Sequence, residues 1–118
     1  MKIEDIAKLL DATVLCCEEE IGSEVHSACG SDMMSDVLMY VKNQAVLLTG
    51  LMNVQAIRTA EMMDMKCVVF VRNKKPTADM VELAKDNGIV IMSTSLRMFE
   101  ACGILYSNGL GKTSHGNG

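Results

Sequence analysis

The chain reads as an α/β domain, a three-layer α/β/α sandwich with a largely parallel central sheet. Two unbroken apolar runs, Ala45-Val46-Leu47-Leu48-Thr49 and Cys67-Val68-Val69-Phe70-Val71, fit strands buried on both faces, as parallel strands are. Segments with apolar residues at helical spacing alternate with such runs, which is the pattern of β-α-β units. Each run ends in polar turn residues that lead into the next helix. With 118 residues, one domain is expected, and a chain 49% hydrophobic and 22% charged is not a disordered one.

Residues 3–10 place Ile3, Ile6, Ala7 and Leu10 on one helical face, with Glu4 and Asp5 in the first turn where the helix dipole favours acids. Thr13 to Cys17 is a short strand, and Glu18 to Ser23 a charged, turn-rich connection. Val25 to Cys29 forms a second strand. Gly30-Ser31-Asp32 breaks it, and Ser31 or Asp32 can cap the helix over 33–42. After the 45–49 strand, Asn53 caps a helix over 54–65. After the 67–71 strand, Pro76 sits just before or at a helix start, and Asn87-Gly88 stops that helix with a left-handed cap. Ile89 to Met92 is the fifth strand, Ser93-Thr94-Ser95 a cap, and 96–105 the last helix. The domain therefore spans 1–106, and 107–118, rich in glycine and polar residues, is a flexible polar tail.

Composition excludes several classes of function. A net charge of −4 and 3% aromatic residues argue against nucleic-acid binding, which uses basic faces and stacking platforms. No apolar run reaches the ~18 residues of a membrane helix. Met1-Lys2-Ile3-Glu4-Asp5 puts acids where a signal peptide needs apolar residues, so a cytoplasmic protein is expected. Cys16, Cys17, Cys29, Cys67 and Cys102 contain no C-x-x-C pair and read as small buried hydrophobes rather than metal ligands. No cofactor is implied. Gly111-Lys112-Thr113 imitates the end of a phosphate-binding loop, but that motif's first glycine would fall on Tyr106. No G-x-S-x-G and no nucleophile–base set is assembled, so the chain is not read as an enzyme; a metal site on Asp32 and Asp36, four apart, is the remaining catalytic alternative.

Ligands of open α/β sheets gather at the carboxyl ends of the strands. Four polar turns fall there: Gly30-Ser31-Asp32, Thr49-Gly50, Arg72-Asn73-Lys74 and Ser93-Thr94-Ser95. Free backbone N–H groups at the following helix starts favour an anion. The candidate ligand-binding residues are Ser31, Asp32, Thr49, Gly50, Asn53, Arg72, Lys74 and Thr94. Thr49-Gly50 is the best of these turns, because glycine admits an anion to the backbone and the hydroxyl adds a donor. Arg72, Lys74 and Lys75 supply positive charge in a chain that is acidic as a whole. Met33, Met34 and Met39 on one helix and Met62, Met63 and Met65 at the end of another exceed one buried stripe; with so few aromatics core filling is the default, and a second apolar face would instead imply a partner, most simply a homodimer.

The segments Ser31–Leu38, Leu48–Asn53, Arg58–Met62, Val71–Pro76 and Met98–Tyr106, in this order and spacing, carry a resemblance. From Ser31 to Leu110 the chain resembles the DRTGG-domain family, whose fold is similar to the N-terminal domain of HPr kinase/phosphatase, and most resembles its small stand-alone members in anaerobic bacteria. The resemblance implies an α/β/α regulatory or ligand-sensing module, often self-associating, without established catalysis. It also implies a signalling or redox protein as a possible partner. Where many members follow Thr-Gly with Asp-Arg, this chain has Leu51-Met52; where they carry Thr-Gly-Gly after the next strand, it has Arg72-Asn73-Lys74. The function expected is a non-catalytic module that binds a small anionic ligand, a nucleotide or phosphorylated metabolite, at the strand ends and acts as a homodimer. The alternative is a protein–protein adaptor with no small-molecule site.

Overall fold

A computed structural model describes residues 1–40 and 45–111. Helix α1 (Ile3–Leu9) leads into strand β1 (Thr13–Cys16), a single 3-10 turn over Glu18–Glu20, and strand β2 (Ser27–Gly30). Three strand–helix pairs follow: α2 (Met34–Tyr40) then β3 (Ala45–Thr49), α3 (Val54–Met62) then β4 (Cys67–Phe70), and α4 (Ala78–Asp86) then β5 (Val90–Ser93). Helix α5 (Met98–Ser107) ends the fold.

The five strands form one sheet in the order β1-β5-β4-β3-β2. Strands β2, β3, β4 and β5 run parallel, with Gly30 opposite Leu48, Thr49 opposite Phe70, and Phe70 opposite Ser93. Each parallel step crosses over through one helix, so right-handedness places α2, α3 and α4 side by side on one face. Helices α1 and α5 pack together on the other, with α5 against β3. The expected sandwich with a largely parallel sheet is therefore the observed one. Strand β1 is the antiparallel member, pairing Thr13 with Ser93 and Val14 with Met92 before a bulge ahead of Cys16.

The core follows from the apolar runs. Every residue of β4 and β5 is buried, as are Val46, Leu47 and Leu48 of β3. Ile3, Ile6 and Leu10 cover one face of this layer; Ile57, Ala60, Met80 and Ala84 cover the other. Helix α3 starts after the expected Asn53 cap but stops at Met62 rather than at 65, and α4 takes its cap from Thr77, which the sequence reading leaves in the preceding polar turn. Asn53 Oδ1 accepts from the Gln55 N–H at 2.6 Å, and Thr77 Oγ1 from the Met80 N–H at 3.3 Å, each satisfying a free donor of a first turn.

Two expected caps are built differently. Ser31 turns on itself, its hydroxyl accepting from the Met33 N–H at 3.0 Å, while Asp32 reaches across to β3 rather than capping α2. Helix α5 starts after Arg97 rather than at 96, and Glu100 Oε1 accepts from the Arg97 N–H at 3.2 Å. Thr94, expected to cap it, is directed elsewhere. At the C-terminus, α5 runs to Ser107, Leu110 is buried, and the Gly111 N–H donates to the His26 carbonyl at 3.2 Å. The rest of the expected tail, 112–118, and the expected end of the second helix, 41–42, lie outside the described residues.

Leu47 and Met39 test this layering. Leu47 is fully buried and Met39 is 71% exposed. Leu47→Ala is expected to cost about 2–5 kcal/mol in urea unfolding, and Met39→Ala to stay within roughly 0.5 kcal/mol.

Candidate functional site

Because the central strands are apolar throughout, the chain's polar chemistry collects where they stop. Strand β3 ends in Thr49-Gly50, and the turn after β2 brings Asp32 beside it. One oxygen of Asp32, Oδ1, accepts from the Gly50 N–H at 2.7 Å and from the Thr49 hydroxyl at 3.1 Å. The Thr49 hydroxyl in turn accepts from the Leu51 N–H at 3.1 Å, which fixes the turn out of β3. The second oxygen, Oδ2, lies 3.6 Å from Nη2 of Arg72. Three elements that are far apart in sequence thus meet at one carboxylate.

Arg72 reaches that position through an unusual backbone. Arg72 and Asn73 both have positive φ, 58° and 57°. Left-handed conformations of non-glycine residues cost of order 1 kcal/mol or more each and persist only where neighbours hold them. Here the Arg72 N–H donates to the Leu96 carbonyl at 2.7 Å and the Asn73 N–H to the Thr94 carbonyl at 2.8 Å. The loop after β4 is thereby tied to the loop after β5. The Arg72 guanidinium lies over Gly50, in the space that a Cβ at that position would need. A side chain at position 50 would displace the arginine, so the glycine is required for the close approach itself.

Of the eight residues expected from sequence, Asp32, Thr49, Gly50 and Arg72 are brought into contact. Ser31 and Asn53 flank them but spend their side chains on local N–H groups. Lys74 is exposed, and its carbonyl accepts from the Ser93 hydroxyl at 2.7 Å. Thr94 is 1% exposed and turned inward; its hydroxyl donates to the Leu10 carbonyl at 2.7 Å and accepts from the Leu96 N–H at 3.3 Å. Its role here is to tie α1 to the sheet. The Asp32 and Arg72 side chains are 53% and 49% exposed. An ion pair so open to water contributes roughly 0.2–1 kcal/mol. The ion pair is open to water, whereas Thr49 and Gly50 behind it are buried.

Sequence reasoning missed one feature of this region. Edge strand β2 has only small residues, Ala28 and Gly30, on its α5 side, and α5 leaves a groove of about 520 Å³ between them. Leu48, Cys102, Phe99 and Tyr106 line it. Helix and strand approach so closely at the upper end that a Cβ on Gly30 would sit 2.6 Å from Cys102 Sγ. The spacing of Phe99 and Tyr106, seven apart on one helix, was the available signal. A second cavity, of about 500 Å³, is lined by Met1, Asp5, Lys8, Leu9, Asn108 and Gly109 and includes none of the clustered residues.

The cysteines are all free thiols. Burial pushes Cys17 up to about 12, helped by a hydrogen bond and charge from Cys16 and by Glu19 and Glu20. Burial also raises Cys67, Cys29 and Cys102. Thiols held protonated in this way are weak nucleophiles. Among the described residues no three His, Cys, Asp or Glu side chains gather to hold a metal ion. No described helix is long and apolar enough to cross a membrane.

Comparison with known proteins adds a family and a fold. The DRTGG domain model matches residues 5–107. A solved structure superposes with a TM-score of 0.72 at 16% identity: the CBS and DRTGG domains of the regulatory region of Clostridium perfringens pyrophosphatase, complexed with its activator, diadenosine tetraphosphate. The superposition covers 93% of this chain and 48% of that one, so the chain spans about half the length of its structural neighbour. No curated protein matches the chain by sequence.

Two measurements check this arrangement. Thr94→Val is expected to lower stability by about 1–3 kcal/mol, since it leaves the buried Leu10 carbonyl unsatisfied; a urea midpoint equal to the parent's is the contrary result. For Cys17 the folded state raises the pKa from 9.0 to about 12. Below pH 9 this contribution to stability is complete; between 9 and 12 the unfolded thiol ionises first, so the contribution declines as pH rises. Thiol titration at pH 8 should accordingly label Cys17 far more slowly in the folded protein than in denaturant.

Proposed function

Since the chain belongs to the DRTGG domain family, we propose that it is a non-catalytic regulatory module that senses a small anionic ligand, a nucleotide or phosphorylated metabolite, at the carboxyl edge of its sheet, and that it acts as a homodimer. One observation carries the ligand-sensing half. A backbone N–H, a hydroxyl and a guanidinium, from Gly50, Thr49 and Arg72, already converge on one anionic group, the Asp32 carboxylate. That donor set is suited to a phosphate oxygen as well as to a carboxylate.

The structural neighbour supports a regulatory role, being a regulatory region complexed with a nucleotide activator. The class of ligand is carried from it to this chain as part of the proposal. Self-association is supported by Met33 just before α2, Leu38 and Met39 on α2, and Met62 on the adjoining α3, which expose 62%, 41%, 71% and 68% of their surface. Free thiols throughout suit a reducing compartment, and we assign the protein to the cytoplasm. The adaptor reading, with no small-molecule site, is favoured by a different observation. Phe99, 89% exposed, stands at the rim of the apolar groove beside α5.

A thermal-shift series with ADP, ATP, diadenosine tetraphosphate and pyrophosphate separates the two readings. Ligand at about 100 times its Kd adds about 2.7 kcal/mol of apparent stability, a shift of several degrees for a domain of this size. Thr49→Val is expected to reduce the shift while leaving the far-ultraviolet spectrum unchanged. If no anion moves the melting temperature, the ligand-sensing half fails and the adaptor reading stands.

A further inference from the structure

We propose that Asp32 is a built-in competitor for the anion seat: its carboxylate occupies the place that a ligand phosphate takes, so binding proceeds by exchange, and the seat discriminates phosphates from carboxylates. This rests on the reading of the Thr49–Gly50–Arg72 edge as an anion site. The donors belong to the end of β3 and to the loop after β4, and all are satisfied by the one carboxylate that follows β2. Asp32 is therefore not one more ligand-binding residue beside Thr49 and Gly50. It has the charge of the ligand, not of its receptor.

The exchange needs little rearrangement. The Asp32 side chain is 53% exposed and Arg72 49%, so the pair opens toward solvent without disturbing the core. The neighbouring backbone is held independently of the carboxylate. The Ser31 N–H donates to the Leu48 carbonyl at 3.0 Å, the Ser31 hydroxyl accepts from Met33, and the Thr49 hydroxyl accepts from Leu51. Thr49 and Gly50 are buried behind this pair, with the Arg72 guanidinium over Gly50, and outward rotation of the Asp32 side chain is the step that opens the Gly50 N–H and the Thr49 hydroxyl to a ligand. Selectivity follows from what replaces the carboxylate. A monocarboxylate restores the contacts that Asp32 already makes and gains nothing. A phosphate brings a second charge and further oxygens for the guanidinium.

The test is calorimetric titration of pyrophosphate and of acetate into the full chain and into Asp32→Asn, Asp32→Ala and Asp36→Asn. Both Asp32 variants are expected to bind pyrophosphate at least tenfold more tightly than the parent and to gain measurable acetate binding. Asp36→Asn removes the same charge four residues away, outside the seat, and is expected to change affinity less than twofold. Unaltered or weaker pyrophosphate binding in the Asp32 variants, with binding by the parent, overturns the competitor role and leaves the anion site standing. An equal gain in Asp36→Asn also overturns it, because net charge alone then accounts for the effect. Absence of binding in the parent and in every variant removes both. Should the Asp32 variants fail to fold, isotope-labelled parent protein decides: bound pyrophosphate must shift the Asp32 carboxyl carbon together with the Gly50 amide, and an unmoved Asp32 signal at saturation refutes the exchange.

Discussion

The structure depends on the burial of strands β4 and β5 throughout and of β3 from Val46 to Thr49. Parallel strands with helices on both faces admit almost no polar side chain along their length. In this chain the stretch Cys67–Phe70 and the stretch Val90–Ser93 are buried without exception. Hydrophobic burial on this scale fixes the register of the sheet, and it also decides where chemistry is allowed. Thr49, Ser93 and Thr94 are the buried polar residues at the strand ends, and each has hydroxyl partners within the fold.

Those partners do two different jobs. Ser93 and Thr94 bond to Lys74 and Leu10 and so bind the β4 loop and α1 to the sheet. Thr49 bonds to Asp32, a half-exposed carboxylate. The first two hold the frame; the third is bonded to a group that faces water. The loop carrying Arg72 is shared between them. Its left-handed residues are anchored by Leu96 and Thr94 carbonyls on the frame side, while its guanidinium projects over Gly50 on the open side. The frame therefore supplies the interactions that offset the strain, and the arginine is presented at a defined point.

Much of the fold was legible in the sequence because its signals are local. Helical spacing, apolar runs, Asn53 as a cap, and Pro76 near a helix start are each contained within a few residues. Antiparallel pairing of β1 was not legible, since Thr13 pairs with Ser93 and no local pattern encodes so distant a partner. The same limit explains the site. Thr49-Gly50 and Arg72 were recognisable as a favourable turn and a local reversal of charge. That Asp32 would bond to this turn, 18 residues from Gly50, depended on the strand order placing β2 beside β3. Thr94 shows the converse. A hydroxyl at a strand end looked available, but its partner, 84 residues away at the end of α1, claims it.

The departures from the family's usual residues become interpretable on this geometry. The resemblance leads one to expect Asp-Arg after Thr-Gly, whereas here Leu51 and Met52 follow and pack against the core. Charge lost from that turn reappears from its neighbours: the carboxylate from Asp32 after β2 and the guanidinium from Arg72 after β4. An acid and a base therefore still meet at the Thr-Gly turn, supplied by flanking strands. A turn recomposed from three strands is sensitive to their relative position in a way that a continuous motif is not. The Asp32–Arg72 pair, 3.6 Å apart, joins the turns after β2 and β4 across the end of β3.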